Sequence, residues 1–183
     1  CYYMYDWMQR EEYKSKYADN LNKELPHIPR VKQLADFWAF SQAGRKLAEL
    51  HINYETVKPY TVTFDVALDT LSNTDFYVKQ MKFAKKGDKS TVIYNNKITI
   101  KNIPVAAYDY VVNGKPALEW VMERQAVTTH KDSGIVNDAN DWAIETMNNP
   151  RYPLELFLRV ITVSLETMEI VNGLPKLEIE WFR

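Results

Sequence analysis

The chain has 183 residues, of which 46% are hydrophobic and 26% charged, and its net charge at pH 7 is −1. This length and composition suit one ordinary globular domain with a sizeable core. The single cysteine, Cys1, excludes an internal disulfide, and no apolar stretch approaches the roughly 18 residues that a membrane-spanning helix needs.

Two helices are predicted near the start of the chain. Apolar side chains recur every fourth residue from Tyr13 to Leu25, which gives one stripe, and Pro26 and Pro29 end this first helix. A second helix is predicted over about residues 30–51. Its predicted buried face consists of Val31, Leu34, Phe37, Trp38, Leu47 and Leu50.

After Pro59 the pattern changes to that of strands. Strands are predicted over residues 61–66, 76–83, 91–94 and 97–100, which are rich in β-branched and aromatic residues. Residues 84–90 are polar and lysine-rich, and they are predicted to form a basic loop around Gly87. Asn95 and Asn96 lie between the last two strands. Because asparagine tolerates a positive φ, they predict a two-residue hairpin turn.

The C-terminal part is predicted to be mainly helical. Helices are predicted over residues 106–112, 116–126 and 153–171, with a loop over residues 127–142. Trp120 is interpreted as helix core, and Trp142 as filling a sheet–helix interface. The succession of helices, strands and helices predicts an α+β fold, in which a small antiparallel sheet at about residues 60–101 is braced by N-terminal and C-terminal helices.

One tetrapeptide suggests catalysis. Asn149-Pro150-Arg151-Tyr152 resembles the Asn-Pro-Pro-Tyr signature of amino-methyltransferases, in which the asparagine and the aromatic residue hold an extruded base. However, Arg151 replaces the second proline, no hydrophobic strand precedes the motif, and the five glycines of the chain form no cofactor loop. We therefore interpret Asn149 as a helix N-cap with Pro150 at the first helical position, and we expect no catalytic residue.

The potential metal ligands are scattered along the chain. His27, His51 and His130 form no ligand spacing with one another or with a cysteine, so no zinc site is expected. Asp138 and Asp141 fit no calcium loop, and we interpret them as Asx-turn caps of the loop backbone. The sequence therefore predicts neither a metal ion nor a cofactor in this chain.

The charge of the chain is unevenly distributed. Residues 79–101 contain seven lysines and one aspartate, a net charge of +6 over 23 residues. Such asymmetry is typical of a surface that binds an anionic partner. An equally open interpretation is an edge hairpin on which lysines prevent edge-to-edge aggregation.

Motifs along most of the chain resemble one family. The most specific motif reads Tyr-Asp-Tyr-Val-Val-Asn-Gly-Lys at residues 108–115, Leu-Glu-Trp-Val-Met-Glu-Arg at residues 118–124, and Ser-Gly-Ile-Val-Asn-Asp-Ala-Asn-Asp-Trp at residues 133–142. Looser matches lie at residues 12–29, 37–40, 43–51 and 159–167. Over about residues 1–176 this pattern is similar to the C-terminal specificity domain of Type ISP restriction-modification enzymes, which are single-polypeptide relatives of Type I systems.

The resemblance implies a domain that recognises a DNA target. In such enzymes one polypeptide joins a nuclease, an ATP-driven translocase, a coupler, an adenine-N6 methyltransferase and this last domain, which selects the site for methylation and cleavage. The implied partners are double-stranded DNA and the methyltransferase and coupler or translocase regions of the same polypeptide, in the bacterial cytoplasm. Residues 1–28 would form a helical junction after the methyltransferase, and residues 29–183 the target-recognition domain.

Members of this family read different DNA sites, so the shared motif at residues 133–142 is expected to be framework. Base contacts are expected where this chain is individual, at residues 68–75, 85–90 and 95–96. The candidate DNA-binding residues are Lys79, Lys82, Lys85, Lys86, Lys89, Asn95, Asn96, Lys97 and Lys101. The near-neutral total charge and the apolar helices leave two alternatives: a scaffold that docks the methyltransferase to the motor, and an RNA-binding or helicase accessory module.

Overall fold

The computed structural model describes residues 30–31, 33–176 and 179–180. The predicted first helix and the junction at residues 1–28, together with Cys1 and His27, lie outside the described residues. The chain divides into a larger unit, Glu55–Leu165, and a smaller unit that comprises the residues before Glu55 and those from Glu166 onward. Among the described residues, no helix is long and apolar enough to cross a bilayer.

The smaller unit contains helix α1 (Leu34–Ile52) and a short antiparallel pair of strands, β1 (Arg30–Val31) and β10 (Ile179–Glu180). The predicted helix start at residue 30 is therefore wrong, because residues 30–31 are extended. The predicted buried face is wrong at Leu34, Phe37 and Trp38, which are 72%, 39% and 57% exposed, but it is confirmed at Leu47. Trp38 precedes the fully buried Leu47 by about two and a half helical turns, which places the two side chains on opposite sides of α1. The buried residues of α1 are Phe40, Ala43, Gly44 and Leu47.

The larger unit is built on an antiparallel sheet of four strands. These are β2 (Thr63–Phe64), β3 (Lys82–Lys85), β4 (Asp88–Ile93) and β5 (Thr99–Lys101), in the spatial order β2-β5-β4-β3. The predicted antiparallel sheet at about residues 60–101 is thus confirmed, as is the α+β class. Strands β2 and β3 are its two edges, so the lysine-rich β3 has a hydrogen-bonded neighbour on one side only.

Two predicted segments of this sheet differ in the structure. Residues 73–76 form a 3-10 helix where a strand was predicted to begin at Phe76, because Ser72 and Asp75 close a capping box. The predicted basic loop at residues 84–90 belongs mostly to β3 and β4, since Lys85 pairs with Asp88 across a two-residue turn. Gly87 has a φ of 85° in that turn, a conformation that glycine adopts without strain.

Between the sheet and the last helix lie two small hairpins, a 3-10 helix and two short α-helices. In chain order they are a 3-10 helix (Val105–Tyr108), strands β6 (Val111–Val112) and β7 (Lys115–Pro116), helix α2 (Ala117–Arg124), strands β8 (Thr128–Thr129) and β9 (Val136–Asn137), and helix α3 (Ala139–Glu145). The predicted helix at residues 106–112 is wrong beyond Tyr108. Asn113 and Gly114 have φ values of 51° and 81°, the backbone of a two-residue hairpin turn. The predicted loop at residues 127–142 contains β8, β9 and the start of α3.

Helix α4 (Tyr152–Asn172) confirms the long helix predicted at residues 153–171. Its residues up to Leu165 belong to the larger unit. There Phe157 and Ile161 join one apolar core with Val92 and Ile100 of the sheet, and all four side chains are fully buried. Burial of each such side chain stabilises the fold by about 1.5–3 kcal/mol, so α4 braces the sheet.

Neither tryptophan that was assigned to the core is fully buried. Trp120 is half-buried, and its indole N–H donates to the Val112 carbonyl at 2.7 Å, which fastens α2 to the hairpin of β6 and β7. Trp142 is 45% exposed, and its ring meets Tyr152 edge-on at 5.2 Å. Both predictions are wrong because each ring covers one neighbouring element instead of being enclosed by several.

Candidate nucleic-acid interface

The solvent face of the sheet carries lysines. Lys82 pairs with Ile93 and Ile93 with Thr99, so these three residues form one row across β3, β4 and β5. Lys101 lies two residues after Thr99 on β5 and shares that face. The neighbouring row, which contains Val92, points to the buried side. Since Lys82 and Lys101 are both exposed, their ammonium groups lie on the face opposite the core.

The turn between β3 and β4 carries two further exposed lysines. Lys85 and Lys86 are exposed, and neither forms an ion pair with any residue that the structure describes. Asp88 follows them, and hydrogen bonds from the Ser90 hydroxyl and N–H hold the pKa of its carboxyl below the usual value. The aspartate is therefore ionised at neutral pH, yet the tip keeps an excess of positive charge.

Lys89 differs from these lysines because its ammonium group has internal partners. It lies 3.2 Å from the Glu119 carboxylate of α2, and 5.3 Å and 5.9 Å from the ring centres of Tyr108 and Phe83. Its side chain is 41% exposed and that of Glu119 25%. The charge of Lys89 is thus compensated within the domain.

Asn95 lies in the loop between β4 and β5, where all the hydrogen-bonding groups of its side chain have partners. Its oxygen accepts from the N–H groups of Lys97 and Ile98, and its amide nitrogen donates to the carbonyls of Asp75 and Tyr77. These four bonds exhaust the capacity of an asparagine side chain. The predicted two-residue turn at residues 95–96 is wrong, because the loop closes from Tyr94 N–H to the Ile98 carbonyl.

The remaining predicted residues lie around this loop and beside β3. Lys97 forms an ion pair with Asp75 and, by that bond above all, lowers the pKa of the Asp75 carboxyl to about 2. Asn96 is exposed next to it. Lys79 is exposed, and its carbonyl accepts from the Val127 N–H at 2.9 Å.

Two of the three segments that the sequence singled out for base contacts are joined. The bonds of Asn95 and Lys97 to Asp75 and Tyr77 tie residues 72–77 to residues 95–97. The third segment, residues 85–90, contains the tip at residues 85–89 and lies at the other end of β4. Strand β4 is six residues long, so its two ends are about 17 Å apart. Which of the nine residues contacts DNA stays a prediction.

The catalytic and metal-binding interpretations find no supporting geometry in the described part of the chain. The Asn149 side chain accepts from the Arg151 N–H at 3.0 Å and donates to Glu155 at 3.0 Å, so it closes the entry to α4. The Arg151 guanidinium lies 4.6 Å from the centre of the Phe76 ring. No group of three or more histidine, cysteine or acidic side chains suited to a metal ion occurs among the described residues.

Comparison with known proteins identifies the family. Residues 1–156 match the Type ISP C-terminal specificity domain. The chain belongs to this family. No curated protein matches the chain.

Three solved structures resemble this specificity domain. A nuclease-deletion mutant of the Type ISP restriction-modification enzyme LlaGI, in complex with a DNA substrate mimic, is 44% identical over 98% of this chain and 14% of its own, with a TM-score of 0.83. The ATP-dependent Type ISP enzyme LlaBIII bound to DNA is 41% identical over 98% of this chain and 11% of its own, with a TM-score of 0.84. A DrdV–DNA complex is 31% identical over 95% of this chain and 17% of its own, with a TM-score of 0.70.

Two residues of the motif at residues 133–142, Asp138 and Asn140, form hydrogen bonds inside this specificity domain, and the framework role of the whole motif stays a prediction. Asn140 is 4% exposed, and its amide bridges the backbone of Val78 by accepting from the N–H at 2.8 Å and donating to the carbonyl at 2.7 Å. Asp138 caps α3 by accepting from the Asn140 N–H, which bears out the Asx-capping interpretation. Burial raises the pKa of Asp138, but hydrogen bonds from Tyr77 and Asn140 together lower it by more than burial raises it. The pKa therefore lies below its usual value.

Sequence reasoning missed the individual roles of Tyr77, Asn140 and Glu119. Asn140 and Glu119 lie within the family motif, so the motif itself was the available signal. Their partners, Val78 and Lys89, are 62 and 30 residues away in the chain. That distance is why no local pattern could pair them.

Proposed function

We propose that this chain selects the DNA site for a Type ISP restriction-modification enzyme. The observation that carries the proposal is the likeness over 98% of the chain, at 44% and 41% identity, to enzymes solved with a DNA substrate mimic or with DNA. The exposed lysines of the sheet supply the cationic surface that a phosphate backbone requires.

The chain spans only 11–17% of the length of these solved proteins, so the rest of the enzyme lies in other parts of a longer polypeptide. We propose that those parts carry the adenine-N6 methyltransferase, the nuclease and the ATP-driven translocase. This chain would contribute recognition without catalysis or a cofactor of its own, in the cytoplasm of a bacterial cell.

The proposed contact element is the β3–β4 hairpin with the adjoining β5. The major groove admits a two-stranded ribbon and is about 12 Å wide, which a hairpin about 17 Å long can cross. Four lysines form no ion pair with a residue that the structure describes, and they would contact phosphates and set the register of the domain: Lys82, Lys85, Lys86 and Lys101. Asn96, exposed at the far end of β4, is free to meet a base edge.

Salt dependence of duplex binding tests the phosphate contacts. Each neutralised phosphate adds about −0.9 to the slope of log K against log salt. Replacing both Lys85 and Lys86 with Met should make the slope less steep by about 1.8. The double change Lys58→Met and Lys131→Met removes two exposed lysines outside the sheet and should leave the slope unaltered. Binding that is absent at low salt, or insensitive to salt, would overturn the proposal.

Methylome mapping tests site selection. Cells that carry the gene of the parent polypeptide should show adenine methylation at one defined DNA sequence. Deletion of this domain should abolish it, and replacement with the corresponding domain of a relative should change the sequence. A methylation pattern that survives deletion would assign recognition to another part of the polypeptide.

Exposed apolar side chains favour a second role, which is docking against another part of the parent polypeptide. Tyr77 and Ile144 line a cleft of about 370 Å³, and they are 47% and 53% exposed. Trp142 and Met147 on the same short segment are 45% and 38% exposed. A methyltransferase or coupler surface would cover them.

Reconstitution from two separately expressed pieces tests this docking role. Ile144→Asp should weaken association of this domain with the rest of the polypeptide. Ile135→Asp is the matched control, because Ile135 is 58% exposed in the loop between β8 and β9. Equal association of both variants would contradict docking through the α3 segment.

A further inference from the structure

Lys89 belongs to the lysine-rich segment, but its surroundings differ from those of the tip lysines beside it. We propose that Lys89 positions the β3–β4 hairpin for DNA by anchoring it to α2, and that it determines target preference without contacting a phosphate. This inference rests on the proposed function and assigns to one of the predicted DNA-binding residues a different task.

The tip of the β3–β4 hairpin has little backbone support. Strand β3 is a sheet edge, and β5 ends at Lys101, opposite residue 91 of β4. One backbone bond, from Ile103 N–H to the Ser90 carbonyl, extends the support of β4 by a residue. Beyond Ser90, the one strand pairing of the tip within the described part of the chain is that of Lys85 with Asp88. The orientation of the tip therefore depends on side-chain contacts.

Lys89 supplies such a contact. Its ammonium lies 3.2 Å from the Glu119 carboxylate and faces the rings of Tyr108 and Phe83 at 5.3 Å and 5.9 Å. An ion pair and two cation–π contacts converge on one ammonium group. Tyr108 is 6% exposed and Glu119 belongs to α2, so both partners are held by the body of the domain.

Lys89 and its partners lie in different parts of the sequence. Tyr108 and Glu119 belong to the motif at residues 108–124 that carries the family resemblance, whereas Lys89 belongs to residues 85–90, which we expect to vary between members of the family. The residues of the family motif thus hold the tip of the β3–β4 hairpin through Lys89. A tip held in one orientation presents Lys85 and Lys86 in a fixed register, and register is what phosphate contacts contribute to recognition.

A phosphate contact by Lys89 would require the opposite behaviour. Its ammonium would have to leave Glu119 and the two rings, and Glu119 would be left without its cation. Two measurements separate these possibilities. The salt slope reports neutralised phosphates, and the ratio of target to non-target affinity reports correct positioning.

The experiment uses the intact parent polypeptide and the DNA site that methylome mapping defines. Lys89→Met and Glu119→Gln should each leave the salt slope unchanged and lower the ratio of target to non-target affinity by about tenfold, roughly the effect of one mismatched base pair. The double variant should be no worse than either single variant, because both changes remove the same anchor. Lys89→Arg retains the ion pair and should retain the preference.

Two controls use lysines of the same region. Lys85→Met should make the slope less steep by about 0.9 and keep most of the preference. Lys115→Met removes a different lysine–glutamate pair of α2, that with Glu123, and should alter neither quantity. Melting temperatures of all variants show whether a loss of preference reflects unfolding. Lys89→Arg and Glu119→Gln keep the question answerable if Lys89→Met does not fold.

Three results would overturn the inference. One is a slope less steep by about 0.9 in Lys89→Met with the preference kept, which would make Lys89 a phosphate contact. Another is tighter non-target binding by Glu119→Gln, which would show a released cation. The third is additive losses in the double variant. Failure of the proposed function is distinct, because the unaltered polypeptide would then show neither salt-dependent binding nor target preference.

Discussion

The hairpin tip at residues 85–89 can be compared with a second region, the polar junction that residues 138–142 form with Tyr77 and Val78. The tip and residues 138–142 were expected to be loops, whereas Tyr77 and Val78 were expected to lie in a strand. The two regions differ in where their polar groups find partners. At the junction, the side chains of Asn140 and Asp138 form their hydrogen bonds with other groups of the domain. At the tip, Lys85 and Lys86 have no ion-pair partner among the described residues.

This difference separates framework from contact surface more reliably than residue type does. An asparagine whose donors and acceptors are all used, such as Asn95, has nothing left for a base edge, and neither has Asn140, which is buried with both amide protons donated inside the domain. An exposed lysine retains its charge for a phosphate. Lys89 is the intermediate case, because it lies in the tip but is bound like a junction residue.

The largest effect on stability is expected at the junction. Asn140→Ala leaves the N–H and carbonyl of Val78 without their partner, and Val78 is fully buried. Each unsatisfied buried group costs about 1–3 kcal/mol, so for the two groups we expect a loss of about 2–6 kcal/mol in the free energy of unfolding. Denaturant unfolding measures it. Asn137→Ala, an exposed neighbour, should change stability by less than about 0.5 kcal/mol. Equal stability of the two variants would remove the distinction.

Trp142→Ala should have a smaller effect. A fully buried aromatic residue costs about 3–5 kcal/mol on truncation, but Trp142 is 45% exposed and covers mainly Tyr152. We expect a loss of about 1–2 kcal/mol with the domain still folded. Thermal melting checks this value. A loss as large as that of a core residue would return Trp142 to the framework.

The sequence predicted the elements whose signal is local. Helix α4 has apolar residues in a long helical pattern. In β4 and β5, buried and more exposed side chains alternate around Val92 and Ile100. All three elements were therefore predicted. The Asn113-Gly114 turn also has a local signal, but the apolar residues before it were read as a helix. The roles of Asn95, Asn140 and Lys89 depend on partners 18 to 62 residues away, which only the fold brings together.

Asn149→Ala tests a cap outside both regions. The Asn149 side chain accepts from the Arg151 N–H at the entry to α4, and loss of such a cap costs about 1 kcal/mol. We expect that decrease in unfolding free energy, with duplex DNA binding unchanged. A loss of DNA binding without a loss of stability would instead indicate that the tetrapeptide at residues 149–152 contacts the nucleic acid.

Substitutions at the tip should hardly change the stability of the domain. Lys85→Ala and Lys86→Ala remove exposed side chains without an ion pair, so each should change the free energy of unfolding by less than about 0.5 kcal/mol. The same changes should weaken duplex binding at every DNA sequence, because phosphates are alike along the helix. A marked drop in melting temperature would place these lysines in the framework with Asn140.

The smallest effect is expected from the ion pair beside Asn95. The Lys97 ammonium, with the Ser72 donors, lowers the pKa of Asp75 from 3.8 to about 2. Because the folded pKa is below the unfolded one, this pair stabilises the protein above about pH 4, and the contribution is lost as the pH falls toward 2. A carboxyl titration followed by nuclear magnetic resonance should give a midpoint near 2 for Asp75, moving toward 3.8 in Lys97→Met. If the midpoint of the unaltered protein is already near 3.8, Lys97 is not held by Asp75 in solution. It would then join Lys85 and Lys86 as a cation available to DNA.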